Sequence, residues 1–173
     1  MRISVSTLII VLVLAIATRT FAQSTCPPNK TLLDSIKPSL VAISVADLDQ
    51  TVKWYQDNLE FVVKEQKDFP QYNLRIAFLE LNGFELELVE DKNSVALTAI
   101  QKYIPEADDQ TKIQGLVKLA FTVADIETLA ARLKSKGVRF QIELTKSNRK
   151  ETDKFFIIRD NCGNWIQFLG KSK

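Results

Sequence analysis

The sequence predicts an α+β fold of two tandem βαβββ modules, with curved mixed sheets around a shared cleft. The first observation is an internal repeat: residues 40–61 read LVAISVADLDQTVKWYQDNLEF and residues 118–139 read KLAFTVADIETLAARLKSKGVR. The second is that each copy changes from the alternating apolar pattern of a strand to the spacing of an amphipathic helix. The third is that further strand candidates follow each copy. Two similar halves are therefore expected.

The amino-terminal segment has the features of a secretory signal peptide. Arg2 precedes an uninterrupted apolar run, LIIVLVLAIA at residues 8–17, and a small-x-small pattern ends at Ala22. A membrane span needs about 20 apolar residues, roughly twice this run. We therefore predict a signal peptide over residues 1–22 and no stable membrane anchor. The mature protein is expected to be exported, either to a periplasm or to the extracellular space.

The charge of the mature chain is balanced. Without Arg2 and Arg19, the 23 basic residues become 21, which equals the 21 acidic residues. No basic run remains that would attract a phosphate backbone or an anionic lipid surface. The sequence therefore predicts no nucleic-acid partner. The hydrophobic fraction of 46% is sufficient for a packed core.

Two cysteines remain after cleavage at Ala22. Cys26 lies in the predicted amino-terminal tail, residues 23–39, and Cys162 lies in a predicted turn. An oxidising compartment would allow one disulfide between them. The sequence leaves two interpretations open, a disulfide that fastens the tail to the domain and two free thiols.

The first module, predicted over residues 40–90, begins with a strand at 40–45. Side chains alternate between the two faces of a strand, so the two faces carry different residues. One face is apolar, and we expect the helix to cover it: Val41, Ile43 and Val45. The opposite face carries smaller and more polar side chains: Leu40, Ala42 and Ser44.

A helix follows this strand. Asp47 or Asp49 can cap its first turn, and Gln50 stands three residues after Asp47 in a variant of the capping box. Helical spacing places four apolar or aromatic side chains on one face, which is expected to be buried: Leu48, Val52, Tyr55 and Leu59.

Three more strands are predicted in the first module, at residues 61–66, 74–81 and 84–89. The pair Asn82-Gly83 between the last two is typical of a tight hairpin turn. A linker over residues 91–116 follows, with a predicted helix at 94–104.

The second module is predicted over residues 117–173. Its first strand is expected at 117–123 and its helix at 126–136, and Gly137 is expected to end the helix in a left-handed conformation. The apolar face of this helix carries Ile126, Leu129, Ala130 and Leu133. Three further strands are predicted at 139–144, 155–159 and 165–169, and a polar loop at 145–153.

Two segments carry a family resemblance. The pattern VADLDQTVKWY at residues 45–55 and the pattern DNCGNWIQF at residues 160–168 resemble the vicinal oxygen chelate superfamily. That family includes glyoxalase I, bleomycin-resistance proteins and extradiol dioxygenases. The resemblance covers residues 40–169, and it implies that the two sheets curl around a shared cleft. Dimers are common in this fold, so the resemblance also allows a homodimer.

The resemblance implies four positions for a divalent metal ion, and this chain does not suit them. They correspond to Leu40, Glu87, Lys118 and Gln167, where the family usually has histidine on each first strand and glutamate on each last strand. Only Glu87 matches, and the chain has no histidine. Leucine supplies no ligand atom, and a lysine ammonium repels a cation. We therefore predict no metal and no other cofactor, and no histidine acts as a general base.

Strand parity identifies the candidate ligand-binding residues. The faces turned away from the helices carry small and polar side chains, which suit the lining of a cleft. The candidate ligand-binding residues are Ser44, Glu87, Lys118, Thr122, Trp165 and Gln167. The resemblance implies that the metal positions of Glu87 and Lys118 are neighbours, and we therefore expect these two residues to form an ion pair that Gln167 joins by a hydrogen bond. Tyr72 and Phe78 are further candidates for aromatic walls.

Three functions of different classes fit these residues. The first, which we favour, is binding of a small organic molecule without the usual metal, as in proteins similar to the bleomycin-resistance branch. The second is a lyase, isomerase or dioxygenase-type enzyme with a non-standard site in which Glu87 is the catalytic base. The third is a protein-interaction module with no small ligand.

Overall fold

The computed structural model describes residues 37–96, 99, 115–147 and 153–171. The described residues from Pro38 onward belong to one compact unit. The predicted signal peptide, most of the linker helix at 94–104 and residues 148–152 of the predicted polar loop lie outside the described residues. Within the described residues, no helix has the length and apolar character that a membrane crossing needs.

Each half of the domain has the order strand, helix, strand, strand, strand. The elements of the first half are β1 Leu40–Ser44, α1 Leu48–Leu59, β2 Val62–Phe69, a short 3-10 turn Pro70–Tyr72, β3 Leu74–Leu81 and β4 Phe84–Asp91. Those of the second half are β5 Lys118–Thr122, α2 Ile126–Ser135, β6 Phe140–Lys146, β7 Asp153–Arg159 and β8 Trp165–Lys171.

The strands form two mixed sheets of identical topology. The order is β1-β4-β3-β2 in the first sheet and β5-β8-β7-β6 in the second. In each sheet the first strand runs parallel to the last strand, and the other neighbours are antiparallel. The predicted α+β fold of two βαβββ modules with mixed sheets is confirmed.

The first helix begins where its capping chemistry predicts. The backbone N–H of Gln50 donates to Oδ1 of Asp47 (2.9 Å), and the Gln50 side-chain amide donates to Oδ2 (2.8 Å). Asp47 is therefore the N-cap, whereas Asp49 forms an ion pair with Arg75 (2.9 Å). The predicted inward face of α1 is buried as expected: Leu48, Val52, Tyr55 and Leu59.

The second helix ends at the predicted glycine. Gly137 has a φ of 74°, a left-handed value that glycine adopts without steric cost. Its N–H donates to the carbonyl of Lys134 (2.9 Å), and the N–H of Val138 donates to that of Leu133 (3.0 Å). These two bonds make a Schellman motif, so the carbonyls of the last turn are satisfied.

Both halves contribute to one hydrophobic core. Phe121 of β5 packs edge-on against Phe61 and Phe84 of the first half, with ring centroids 6.4 and 5.1 Å apart. On its other side it lies 5.9 Å from Phe168 of β8. Edge-to-face and tilted aromatic pairs at these separations are favourable. The two modules are therefore joined through their side chains as well as through the linker.

Several strands are longer than predicted. β2 continues to Phe69 although its side chains are mostly exposed, because it is an edge strand whose backbone pairs with β3. The prediction of a loop over 145–153 was wrong at its ends. Thr145 and Lys146 belong to β6 and Asp153 begins β7. The sequence pattern did not predict these extensions because their side chains are polar, and backbone pairing between strands does not require an apolar pattern.

The second helix approaches its sheet very closely at Gly170 in β8. A Cβ atom added there would lie 2.8 Å from the carbonyl oxygen of Val123 and 2.8 Å from Cβ of Ile126. Both distances are shorter than van der Waals contact, so this position accepts only glycine without a backbone shift.

Candidate functional site

Each sheet has one face covered by its helix and one face turned away from it, which we call the open face. Ile43 of β1 and Val45, the residue after the strand, are buried on the side of α1, whereas Leu40, Ala42 and Ser44 are exposed. In β5, Leu119 is buried, whereas Lys118, Ala120 and Thr122 are exposed. The predicted division of the two strand faces is confirmed. All six candidate ligand-binding residues lie on the open faces.

The open face of the first sheet is acidic. Glu87 of β4 is half-buried, with Ala42 of β1 beside it on one side and Phe78 of β3 on the other. In the adjacent row, Glu85 pairs with Glu80. Phe78 therefore lies next to Glu87 on this face. Tyr72 is 67% exposed in the turn before β3 and forms no wall of this face.

The open face of the second sheet carries a row of three large side chains. Trp165 of β8 pairs with Lys118 of β5 on one side and with Arg159 of β7 on the other. The next row contains Gln167, paired with Ala120 and Ile157. Trp165 and Arg159 are only 6% and 7% exposed, although they lie on the face opposite α2.

Trp165 is held by Arg159 and has an unsatisfied donor. The Arg159 guanidinium carbon lies 5.8 Å from the centroid of the Trp165 ring, a distance typical of a cation–π contact. Nε of Arg159 donates to Oε1 of Gln141 (2.7 Å). Nε1 of Trp165 is buried and has no hydrogen-bond partner among the residues that the structure describes. Such groups are rare in folded proteins.

The ion pair predicted between Glu87 and Lys118 is not present among the described residues, where neither side chain has an ion-pair partner. The register explains this result. Glu87 lies between Ala42 and Phe78, and Lys118 lies on the edge strand of the other sheet, where its ammonium is exposed to water. A hydrated ammonium needs no carboxylate. Gln167 is half-buried and joins no such pair.

The residues at the family's metal positions do not fit a divalent cation. Leu40 has no donor atom, and Lys118 presents a positive charge. Glu87 and Gln167 alone supply too few oxygens for a hard cation. Within the described part of the chain, no three histidine, cysteine, aspartate or glutamate side chains are grouped so that they could hold a metal ion.

Of the predicted site residues, Ser44 and Thr122 line cavities. A cavity of about 770 Å³ lies where β1 and β4 end against the turn between β7 and β8, and its lining includes Ser44, Asp91 and Arg159. Thr122 lines a cavity of about 520 Å³ with Phe84 and Phe121, and another of about 440 Å³ with Leu169. Sequence analysis missed Arg159, although a residue two positions after Ile157 on the same strand lies on the same face as Ile157.

The turn between β7 and β8 is organised by Asp160, which is 5% exposed. Oδ1 accepts the backbone N–H groups of Cys162 (2.9 Å) and Asn164 (2.8 Å). Oδ2 accepts the hydroxyl of Tyr55 (3.0 Å) and the side-chain amide of Asn164 (2.9 Å). Burial raises the pKa of the Asp160 carboxyl, and these four donors oppose the rise. The two segments that carried the family resemblance are therefore joined through the hydrogen bond between Tyr55 and Asp160.

Cys162 lies in the same turn as a free thiol. Its Sγ atom is 3.4 Å from Oγ1 of Thr51 in α1, and Asn161 donates to the same hydroxyl (2.9 Å). A disulfide between Cys162 and Cys26 was one of the two interpretations that the sequence left open, and Cys26 lies outside the described residues.

Comparisons with known proteins agree with this geometry. The family model described as the Glyoxalase/Bleomycin resistance protein/Dioxygenase superfamily matches residues 37–168. The uncharacterized protein YurT of Bacillus subtilis is 33% identical over 140 residues, which cover 79% of this chain and the whole of YurT.

Two solved structures show the same fold. A glyoxalase family protein from Enterococcus faecalis is 24% identical, with a TM-score of 0.65, and the match covers 79% of this chain and 98% of that one. Glyoxalase I from Zea mays is 20% identical, with a TM-score of 0.60, and the match covers 76% of this chain and 43% of the maize chain.

Proposed function

Because the chain belongs to the Glyoxalase/Bleomycin resistance protein/Dioxygenase superfamily, we propose that it binds a small organic molecule on its open faces without the divalent metal that the family resemblance implies. The observation that carries this proposal is the cavity of about 770 Å³ at the ends of β1 and β4, which Ser44 and Arg159 both line. Ligand sites are concave and have volumes of this order, with a few polar groups that orient the ligand.

The polar residues of the open faces support binding rather than mere packing. Glu87 and Gln167 are half-buried, and Lys118 is exposed beside Trp165. On a sheet face that only packs against the rest of the protein, apolar side chains stabilise the fold. Burying these polar side chains instead costs the free energy needed to remove their bound water. Their presence is therefore better explained by contacts with a ligand.

The enzyme alternative depends on Glu87 as the base. A carboxylate base acts together with other groups that orient the substrate and stabilise the charge that develops on it. In the described residues the cross-strand neighbours of Glu87 are Ala42 and Phe78, whose side chains can donate no hydrogen bond to a substrate. Binding without chemistry is the function that this arrangement favours.

A thermal-shift screen of small organic molecules tests the binding proposal. A ligand at about 100 times its Kd stabilises the fold by roughly 2.7 kcal/mol, so the Tm should rise by several degrees. We expect the same compound to give a smaller shift with Glu87→Gln. The matched control is Glu143→Gln, which removes an exposed carboxylate ion-paired with Lys134 of α2.

Two results would contradict the proposal. One is a broad screen in which no compound raises the Tm of the wild-type protein. The other is purified protein that contains a stoichiometric divalent metal and loses thermal stability in a chelator, which would favour the enzyme alternative.

The protein is also proposed to be exported, on the strength of Arg2, the apolar run at 8–17 and the small-x-small pattern that ends at Ala22. Expression of the full chain in a bacterial host should give an exported product that begins at Gln23 by amino-terminal sequencing. A variant without residues 1–22 should remain in the cytoplasm. An uncleaved product in the membrane fraction would contradict this expectation.

A further inference from the structure

We propose that this protein has a second ligand site between its two modules, and that this site takes an uncharged aromatic molecule with one hydrogen-bonding group. The site is the cavity of about 520 Å³ that Phe84 and Phe121 line, which we call the junction cavity. Among the residues that the structure describes, it has no lining residue in common with the cavity of about 770 Å³ at the ends of β1 and β4. The two sites can therefore be tested separately.

The junction cavity has the volume of a ligand site and draws its walls from both modules. Pockets for small molecules measure roughly 300–1,000 Å³. Leu81 of β3 and Phe84 of β4 line it from the first module. Phe121 of β5 and Leu129 of α2 line it from the second. A molecule bound there would contact both halves of the domain.

Much of the lining is apolar surface that the fold leaves partly uncovered. Five apolar or aromatic side chains of the lining pack against the hydrophobic core on one side and are nevertheless only half-buried: Leu81, Phe84, Phe121, Val123 and Leu129. Removing such surface from water is the main favourable contribution to the binding of an apolar molecule. The body of the ligand is therefore apolar.

The aromatic side chains of the lining favour a ligand with a ring. Phe84 and Phe121 are almost perpendicular, at 87°, with centroids 5.1 Å apart. Phe168, which also lines the cavity, is tilted by 31° from Phe121, with centroids 5.9 Å apart. Aromatic rings attract one another in edge-to-face and offset arrangements, and neighbouring rings at right angles can offer both to a further ring. An aromatic body fits this wall better than a flexible aliphatic chain.

The charges of the lining favour an uncharged ligand. Among the described residues, only two charged side chains line the junction cavity, and these two, Glu60 and Arg132, form an ion pair with each other. A charged ligand would lose hydration there without gaining an uncompensated partner, which is costly. The lining also contains neutral hydrogen-bonding side chains: Asn58, Asn82 and Thr122. A hydroxyl or an amide on the ligand suits these groups.

A titration of the purified protein by saturation-transfer NMR tests the ligand class. The probes are naphthylmethanol, which is neutral, naphthoate, which is anionic, and naphthylmethylamine, which is cationic at neutral pH. They share one aromatic body and differ in charge. We expect naphthylmethanol to bind with a Kd of about a millimolar or less, and each charged probe to bind about tenfold or more weakly.

Three variants locate the bound probe. Leu129→Trp places a larger ring inside the junction cavity and should lower the affinity for naphthylmethanol about tenfold or more, while the Tm changes little because the ring enters open space. Phe84→Leu keeps the wall apolar but removes a ring, so the affinity should fall about twofold to tenfold. Ser44→Trp makes the corresponding change in the cavity of about 770 Å³ and should leave the affinity for naphthylmethanol unaltered.

Three results would overturn the inference. If no probe binds, the junction cavity is not a ligand site, whereas the function proposed above is decided by its own thermal-shift screen. Equal affinities for the three probes would refute the uncharged class of ligand. Binding that is lost in Ser44→Trp and kept in Leu129→Trp would place the probe in the other cavity. If Leu129→Trp proves unstable, an unchanged affinity in Phe84→Leu would refute the aromatic wall.

Discussion

Replacing Gly170 by alanine is expected to lower the free energy of unfolding by about 2–3 kcal/mol. The new Cβ would lie 2.8 Å from the Val123 carbonyl oxygen and 2.8 Å from Cβ of Ile126. Both atoms are near the start of α2 and neither belongs to a flexible side-chain end. The helix must therefore move away from β8, and the packing of Ile126, which is fully buried, is lost.

Chemical denaturation followed by circular dichroism measures this effect. The matched control is Lys171→Ala, at the exposed next position of β8, which should change stability by less than about 0.5 kcal/mol. A Gly170→Ala protein as stable as the wild type would mean that α2 can shift without loss of packing. The close approach of helix and sheet would then have no energetic importance.

Replacing Asp160 by alanine is expected to be at least as damaging, with a loss of about 3 kcal/mol or more. The carboxylate accepts four hydrogen bonds, two of them from the backbone N–H groups of Cys162 and Asn164. The third donor is the hydroxyl of Tyr55, which is fully buried. Alanine supplies no acceptor for any of these groups, and each buried donor left unpaired costs about 1–3 kcal/mol.

Urea denaturation at neutral pH compares Asp160→Ala with two variants of the same region. Tyr55→Phe should cost less, about 1–2 kcal/mol, since it removes one hydrogen bond and leaves the turn intact. Asn161→Ala removes only the contact of an exposed residue with Thr51 and should cost less than either. Equal stabilities for Asp160→Ala and Asn161→Ala would refute the role assigned to this carboxylate.

The pH dependence of the free energy of unfolding provides a second test of the hydrogen bond between Tyr55 and Asp160. Burial, followed by the charge and hydrogen bond of Asp160, raises the pKa of Tyr55 well above its usual range. In the unfolded chain a tyrosine loses its proton at about pH 10, whereas Tyr55 in the folded protein still holds its proton at that pH. The free energy of unfolding should therefore fall as pH rises above about 10, by up to about 1.4 kcal/mol per pH unit. Tyr55→Phe should lack this component, and Tyr72→Phe should retain it.

The parts of the fold that the sequence predicted well depend on local chemistry. Asp47 followed by Gln50 predicts a helix start, Asn82-Gly83 predicts a hairpin turn, and Gly137 predicts a helix end. In each case a backbone hydrogen bond or a positive φ within a few residues decides the structure. Strand parity is equally local, so the two faces of each sheet could be assigned correctly.

The parts that the sequence did not reveal depend on distant partners. The hydrogen bond between Tyr55 and Asp160 joins residues 105 positions apart, and neither residue type indicates the other. The burial of Trp165 and Arg159 on an open face has no local signature, because an arginine at a strand end is usually solvated. The ion pair between Glu87 and Lys118 was inferred from the metal positions that the family resemblance implies, but pairing also requires that the side chains meet.

The rings of Phe61, Phe84, Phe121 and Phe168 have a consequence for how this protein unfolds. Because these side chains interleave across the two modules, neither module can open without exposing aromatic surface on the other. The internal duplication therefore does not produce two independent folding units. Damage at Gly170 in the second half should lower the hydrogen-exchange protection of α1 in the first, in a single cooperative transition.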